Sequence, residues 1–209
     1  MTAATAPLDR PLRRDAAENR ARVLAAATQV FTEQGLGASV EEVARVAGVG
    51  MGTLYRRFAT KDALIGALVA VMLQETLELA EQARAIGGGR GLESFLETSS
   101  AYQAEHVGCL DRLWEVGPDE PSVRAIRRTI DRLLADAKAR GRVRAEIANT
   151  DVTMVMWSIR GVIRTSHRVA PHAWRRHLDL LLAGLRPAGE PLGHPPLTRA
   201  QVDAVVGKV

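Results

Sequence analysis

Cysteine is almost absent from this chain of 209 residues: Cys109 is the only one. No intrachain disulfide can form, which fits a reducing, cytoplasmic setting. Aromatic residues make up only 4% of the chain, and strand-like alternation of polar and apolar residues is rare. With alanine, leucine and arginine dominating, the expected fold class is all-α. Long apolar runs are also missing, since the longest, from Ala63 to Leu73, is too short to cross a bilayer, and no signal peptide is expected ahead of the first helix. His106, His167, His172, His177 and His194 lack the acidic or thiol neighbours and the i, i+4 pairing of a helical metal site. Neither His106 nor Cys109 carries an acid, base or cofactor motif around it. No catalytic residue, metal or cofactor is therefore assigned, and the chain is not expected to be an enzyme.

A content of 46% hydrophobic and 25% charged residues is that of a globular protein with a real core. The net charge of +4 permits nucleic-acid binding without demonstrating it. Much of the positive charge lies on Arg124, Arg127, Arg128 and Arg132, around Val123, Ile126 and Ile130, which is the pattern of an amphipathic helix with a solvated basic face. Arg10, Arg13 and Arg14 stand in an N-terminal arm, residues 1–14, read as flexible. Such an arm either reaches a minor groove or phosphates, or is a plain terminus that raises local concentration near DNA.

Residues 39–61 carry the most information. Ser39 followed by Glu42 predicts a capping box, in which serine caps a free amide and glutamate reaches back to the serine amide. Val40, Val43, Ala44 and Ala47 then share one helix face, and Gly48 supplies the left-handed residue at which such a helix stops. In the following helix Leu54 and Phe58 point inward, leaving Met51, Thr53, Tyr55 and Arg56 outward. Two short helices across a glycine turn form a helix-turn-helix, and the outward residues suit a duplex: Arg reads guanine, Thr touches base or phosphate, Tyr donates to phosphate.

At these residues the chain resembles the TetR family of bacterial transcriptional regulators. Gly48-Val49-Gly50-Met51-Gly52-Thr53-Leu54-Tyr55-Arg56-Arg57-Phe58 and Lys61-Asp62-Ala63-Leu64 are similar to that family's Gly-Val-Ser-x-Gly-Thr-Leu-Tyr-x-x-Phe and Lys-x-x-Leu. Arg20, Val23, Leu24, Ala26, Ala27, Phe31 and Gly35 agree as well. Gly50 departs from the Ser or Thr common there, so a side-chain phosphate contact is excluded and backbone amides must serve. The DNA-binding set expected is Ser39, Gly50, Met51, Thr53, Tyr55, Arg56 and Lys61, on a helix-turn-helix domain of residues 15–60. The resemblance implies a homodimer on a near-palindromic, double-stranded operator, with a small-molecule effector in the second domain that swings the linking helix and releases the DNA.

A long helix is expected from Lys61 to about Ala85, then the glycine-rich stretch 87–91. Further helices are read near 92–107, 108–115, 119–140, 150–168 and 172–186, within an effector-binding and dimerisation domain of residues 61–186. Phe95, Ser99, Tyr102 and His106 recur at helical spacing and mix aromatic bulk with polar groups, which need partners once buried. Trp114, Met154 and Trp157 would complete an apolar wall, so a largely apolar or aromatic effector is expected. Each position has a plainer alternative, a side chain bonded to a backbone carbonyl. Val155, Ile159 and Val162, with Trp174, Leu178, Leu181 and Leu185, form two stripes that either pair with a second subunit or close the protomer's own core. Pro187, Pro191, Pro195 and Pro196 mark a linker in residues 187–209, ending in a short helix that either docks or frays. The competing function is a DNA-binding protein whose second domain only dimerises or binds a protein partner.

Replacing Tyr55 and Arg56 together by alanine should abolish retention of operator DNA in a gel shift. The thermal melt should stay where it is, because both side chains are read as outward-facing.

Overall fold

The computed structural model describes residues 9–187 and 190–206, with the side chains of residues 9–16, of Trp114 and of Val206 outside that description. All regular structure among the described residues is helical. Nine α-helices run in order: α1 Asp9–Gln34, α2 Val40–Ala47, α3 Met51–Arg57, α4 Lys61–Arg84, α5 Gly91–Glu105, α6 Pro121–Ala139, α7 Asn149–Ser166, α8 Ala173–Leu185 and α9 Arg199–Val206. A 3₁₀ segment, Val107–Trp114, stands between α5 and α6 where an ordinary short helix was expected. The chain divides into two compact units, Met1–Leu68 and Val69–Val209, so the boundary falls inside α4.

In the first unit α1 begins at Asp9, so residues 9–14 of the expected arm have helical backbone, while residues 1–8 lie outside the described residues. Pro11 is tolerated because it stands in the first turn, where amides have no intrahelical acceptor, and the neighbouring Arg and Leu are good helix formers. Val23, Ala27, Val30 and Phe31 of α1 are buried with Val43 and Ala44 of α2, Leu54 of α3 and Leu64 of α4. Gly35 ends α1 with a φ of 76°, and its amide donates to the Phe31 carbonyl at 2.9 Å.

In the second unit α5 is the central helix, packed against α6, α7 and α8. Its N-terminus approaches α4 so closely that a Cβ on Gly91 would lie 2.6 Å from the Ala83 carbonyl oxygen and 2.8 Å from Leu133 Cδ2. Leu92, Phe95, Leu96, Ser99, Ser100 and Gln103 are all buried, so one broad face of α5 is core. Ile126, Ile130 and Leu133 of α6, Val152, Val155, Ile159 and Ile163 of α7, and Trp174, Leu178, Leu182 and Leu185 of α8 are buried with it. The helix α4 is long and apolar enough to cross a membrane, but Leu64, Ile65, Leu68, Val69, Met72, Ala80 and Ala83 are spent on burial within the protein.

The C-terminal helix docks. Thr198 and Gln201 form a reciprocal capping box, with the Thr198 amide donating to Gln201 Oε1 at 2.8 Å and the Gln201 amide to Thr198 Oγ1 at 3.3 Å. Val202 is completely buried, Asp203 pairs with Arg127 of α6 at 2.7 Å, and Arg199 donates to Asn149 of α7 at 2.9 Å.

Gly91→Ala is expected to lower stability by roughly 1–3 kcal/mol, the range for overpacking a site whose nearest neighbour is backbone. Chemical denaturation would read it as a lower midpoint at unchanged slope.

Candidate DNA-reading face and ligand cavity

The turn between α2 and α3 is built from local chemistry. Ser39 caps α2, its Oγ accepting from the Glu42 amide at 3.2 Å. Glu42 does not reach back to Ser39 as the capping box required: its carboxylate is held by Arg45 through two bonds of 2.8 and 2.7 Å. The bidentate guanidinium is the stronger partner for a carboxylate, and its hydrogen bonds hold Glu42 below the usual carboxylate pKa. Gly48 has a φ of 65°, and the Val49 amide donates to Ala44 at 3.1 Å, which closes the end of α2.

Gly50 caps α3 with extended backbone and no side-chain bond. Leu54 and Phe58 are buried beneath the helix, while Tyr55, Arg56 and Arg57 are exposed and Met51 and Thr53 half-buried. Arg56 rests on Thr53, its guanidinium donating to Oγ1 at 3.2 Å. Lys61 is half-buried with its ammonium 5.9 Å from the Phe31 ring centre, and Arg20 stands 5.8 Å from the Phe58 ring. Arg57, missing from the expected set, joins the outward basic group. Its exposure follows from the same 3.6-residue period that placed Tyr55 and Arg56.

The second unit contains a cavity of about 140 Å³ between α4, α5, α6 and α7. Met72, Val123, Ile126, Ile130, Met156 and Trp157 give it an apolar wall, and Tyr102, Gln103, Arg127 and Arg160 bring polar groups. The Tyr102 hydroxyl is buried and closes no hydrogen bond. Burial first, and the carboxylate of Glu75 second, hold it above the ordinary tyrosine pKa, so it stays a neutral hydroxyl. Arg160 donates through Nε to Gln103 Oε1 at 3.2 Å. Burial pulls its guanidinium down to about 10, against the opposing pull of Asp111, which still leaves it charged at neutral pH. Trp157 and Arg160 also line an outer cleft of about 520 Å³ with Asp111, Glu115, Gly161, Arg164 and Val205.

Of the seven residues expected to meet a ligand, only Tyr102 and Trp157 line the cavity. Phe95 and Ser99 are buried in the core, because α5 is surrounded on several sides; Ser99 Oγ lies 3.5 Å from the Leu96 carbonyl of its own helix. His106 stacks on Tyr102 with ring centres 4.1 Å apart and bonds through Nδ1 to the Tyr102 carbonyl at 2.8 Å, so the plainer alternative holds there. Met154 is 45% exposed, and Met156, two residues and about 200° further round α7, takes its place in the wall. The side chain of Trp114 lies outside the described residues. Burial raises the thiol of Cys109 to about 11, which keeps it protonated and unreactive as a nucleophile. Among the described residues no three of His, Cys, Asp and Glu come together as a metal site would need.

Residues 23–68 match the profile of bacterial regulatory proteins of the tetR family, and residues 87–187 that of the C-terminal domain of SbtR-like transcriptional regulators. A TetR transcriptional regulator from Streptomyces coelicolor is 34% identical, over 81% of this chain and 99% of its own, with a TM-score of 0.61. The chain belongs to the TetR family. A second TetR regulator, from Mycobacterium vanbaalenii, is likewise 34% identical, over 84% of this chain and 99% of its own, with a TM-score of 0.63. An HTH-type transcriptional regulator of Staphylococcus aureus is 44% identical over 54 residues, which span 25% of this chain and 29% of that relative. This TetR-family protein is thus a DNA-binding transcriptional regulator and not an enzyme.

A Cβ at Gly50 would meet nothing within 4 Å, and the backbone there is extended. Gly50→Ser should therefore fit without strain and stabilise the protein by a few tenths of a kcal/mol through the added cap. A differential scanning calorimetry trace would show a small rise in Tm, and a lower Tm would mean that the site is tighter than described.

Proposed function

We propose that this regulator is a homodimeric repressor, acting in the cytoplasm, that a small-molecule effector releases from a near-palindromic operator. The observation that carries the effector is the cavity of the second unit, an apolar pocket into which a buried, unpartnered Tyr102 hydroxyl is built. A buried polar atom without a partner costs about 1–3 kcal/mol, which a ligand able to bond it would recover. The operator is read by Met51, Thr53, Tyr55, Arg56 and Arg57 of α3, with Ser39, Lys61 and the amides at Gly50 on phosphates. Because α4 carries residues of both units, it is the covalent path for their coupling. A coupling of about 1–3 kcal/mol, or 5–150-fold in operator affinity, is typical of such linkage.

For the stripes expected at a dimer face, the alternative of closing the protomer's own core accounts for most residues. Val155, Ile159, Trp174, Leu178 and Leu185 are buried in the protomer's own core, while Val162 and Leu181 are half-buried. A different face of α7 is open, with Met154, Ser158, Gly161 and Thr165 at spacings of four, three and four and no charge among them. On α8 the corresponding open face is Ala173, His177, Leu180 and Gly184, with Leu180 58% exposed. His177 Nε2 lies 3.2 Å from Ser158 Oγ, which ties the two faces side by side. Small and uncharged residues at this spacing suit close helix packing in a four-helix interface.

Leu180→Arg should give a monomer by sedimentation velocity, and should weaken operator binding by about 10²-fold or more through loss of bivalency. Selection of operator from random DNA, repeated with a compound library, tests the whole reading: release by a compound that also raises Tm supports the receptor. A library that leaves both release and Tm unmoved would favour a second unit that only dimerises or binds a protein.

A further inference from the structure

The walls of the cavity are uneven in charge. Two guanidinium groups, of Arg127 and Arg160, stand among its lining residues, and no carboxylate does. Glu75, which influences Tyr102, is exposed and is not part of the lining; Asp111 and Glu115 line the outer cleft instead. Arg127 is already paired with Asp203. The remaining polar groups lean the same way: Gln103 gives its carbonyl oxygen to Arg160, which leaves its amide nitrogen to donate, and Tyr102 keeps a neutral hydroxyl. Thr76 and Thr153 each use their proton on a carbonyl of their own helix, at 2.7 and 3.2 Å. Among its lining residues the cavity thus offers donors and guanidinium charge together with hydrocarbon. Its volume is about 140 Å³, and a cavity of about 150 Å³ is known to accommodate benzene.

We propose that the effector is a small organic carboxylate about one ring in size, its carboxylate bound by Arg160, Gln103 and Tyr102 and its hydrocarbon part packed on Ile126, Met156 and Trp157. This rests on the receptor reading above. Arg160 serves as the discriminating residue, because a guanidinium bonds a carboxylate through charge-assisted hydrogen bonds that a neutral or cationic group cannot replace. Tyr102 supplies a buried neutral hydroxyl as a further donor, which a ligand carboxylate would take in competition with the Glu75 carboxylate that acts on it.

Three probes with the same ring and different charge test this on the full chain: benzoate, benzamide and benzylamine, titrated by calorimetry at neutral pH. Benzoate is expected to bind about tenfold or more tightly than benzamide, and benzylamine not at all. Arg160→Gln should bring benzoate down to the level of benzamide. Tyr102→Phe should weaken benzoate several-fold while leaving the Tm of the ligand-free protein equal or higher, an outcome that a merely structural hydroxyl would not give. If benzamide or benzylamine equals benzoate, or benzoate fails to bind at tens of millimolar, the carboxylate assignment is overturned. Should Arg160→Gln fail to fold, the ratio between probes in the unaltered protein and the Tyr102→Phe pair of readings still decide it. A neutral library compound that binds and releases operator would remove only the carboxylate, whereas silence of the whole library would remove the receptor as well.

Discussion

The second unit depends on how near α5 can come to α4. Gly91 sits against the Ala83 carbonyl with no room for a methyl group, which lets the chain turn closely from α4 into α5, and α5 then packs against α6, α7 and α8. Once α5 is central, α6, α7 and α8 can each bury one stripe on it, and few aromatic side chains are needed to fill the space. Phe95 and Trp174 are fully enclosed, and leucine, isoleucine and valine supply most of the rest. The same placement makes Ser99 and Ser100 interior residues, and each finds an acceptor in the carbonyl of Leu96 within its own helix.

The helix-turn-helix was legible in the sequence because everything that defines it is local. Gly48, Ser39 and the spacing of Leu54 and Phe58 act within a few residues of one another, so a 3.6-residue period and two caps suffice. One detail failed for an equally local reason. Glu42 had two suitors, the Ser39 amide and the Arg45 guanidinium, and a charged bidentate partner one turn away outcompetes a single amide.

The cavity and the open faces were much less legible, since both depend on which neighbour each helix face meets. On α7 the strongest apolar stripe, Val152, Val155, Ile159 and Ile163, goes to the core, and the face left open is marked by small residues that hydrophobicity does not pick out. On α5 the mixture of aromatic and polar residues looked like a binding surface because burial on several sides produces the same mixture. Only Tyr102 kept both properties, lining a cavity and lacking a partner. Nothing in its neighbours along the chain distinguishes it from His106, which turns back to a carbonyl.

The helix α7 presents three faces: Val155 and Ile159 inward, Met156 and Arg160 to the cavity, Met154 and Gly161 outward. With about 100° between successive residues, adjacent letters of its sequence answer to different surroundings. Chemical preference in the cavity can therefore change by altering Met156 or Thr153 while the core stripe and the outer face keep their residues. Trp157 and Arg160 are the exception, because they form the partition between cavity and outer cleft and any change there is felt on both sides. A lineage of such proteins would diversify most freely at the positions that face one compartment alone, and would be held back at the wall that two compartments share.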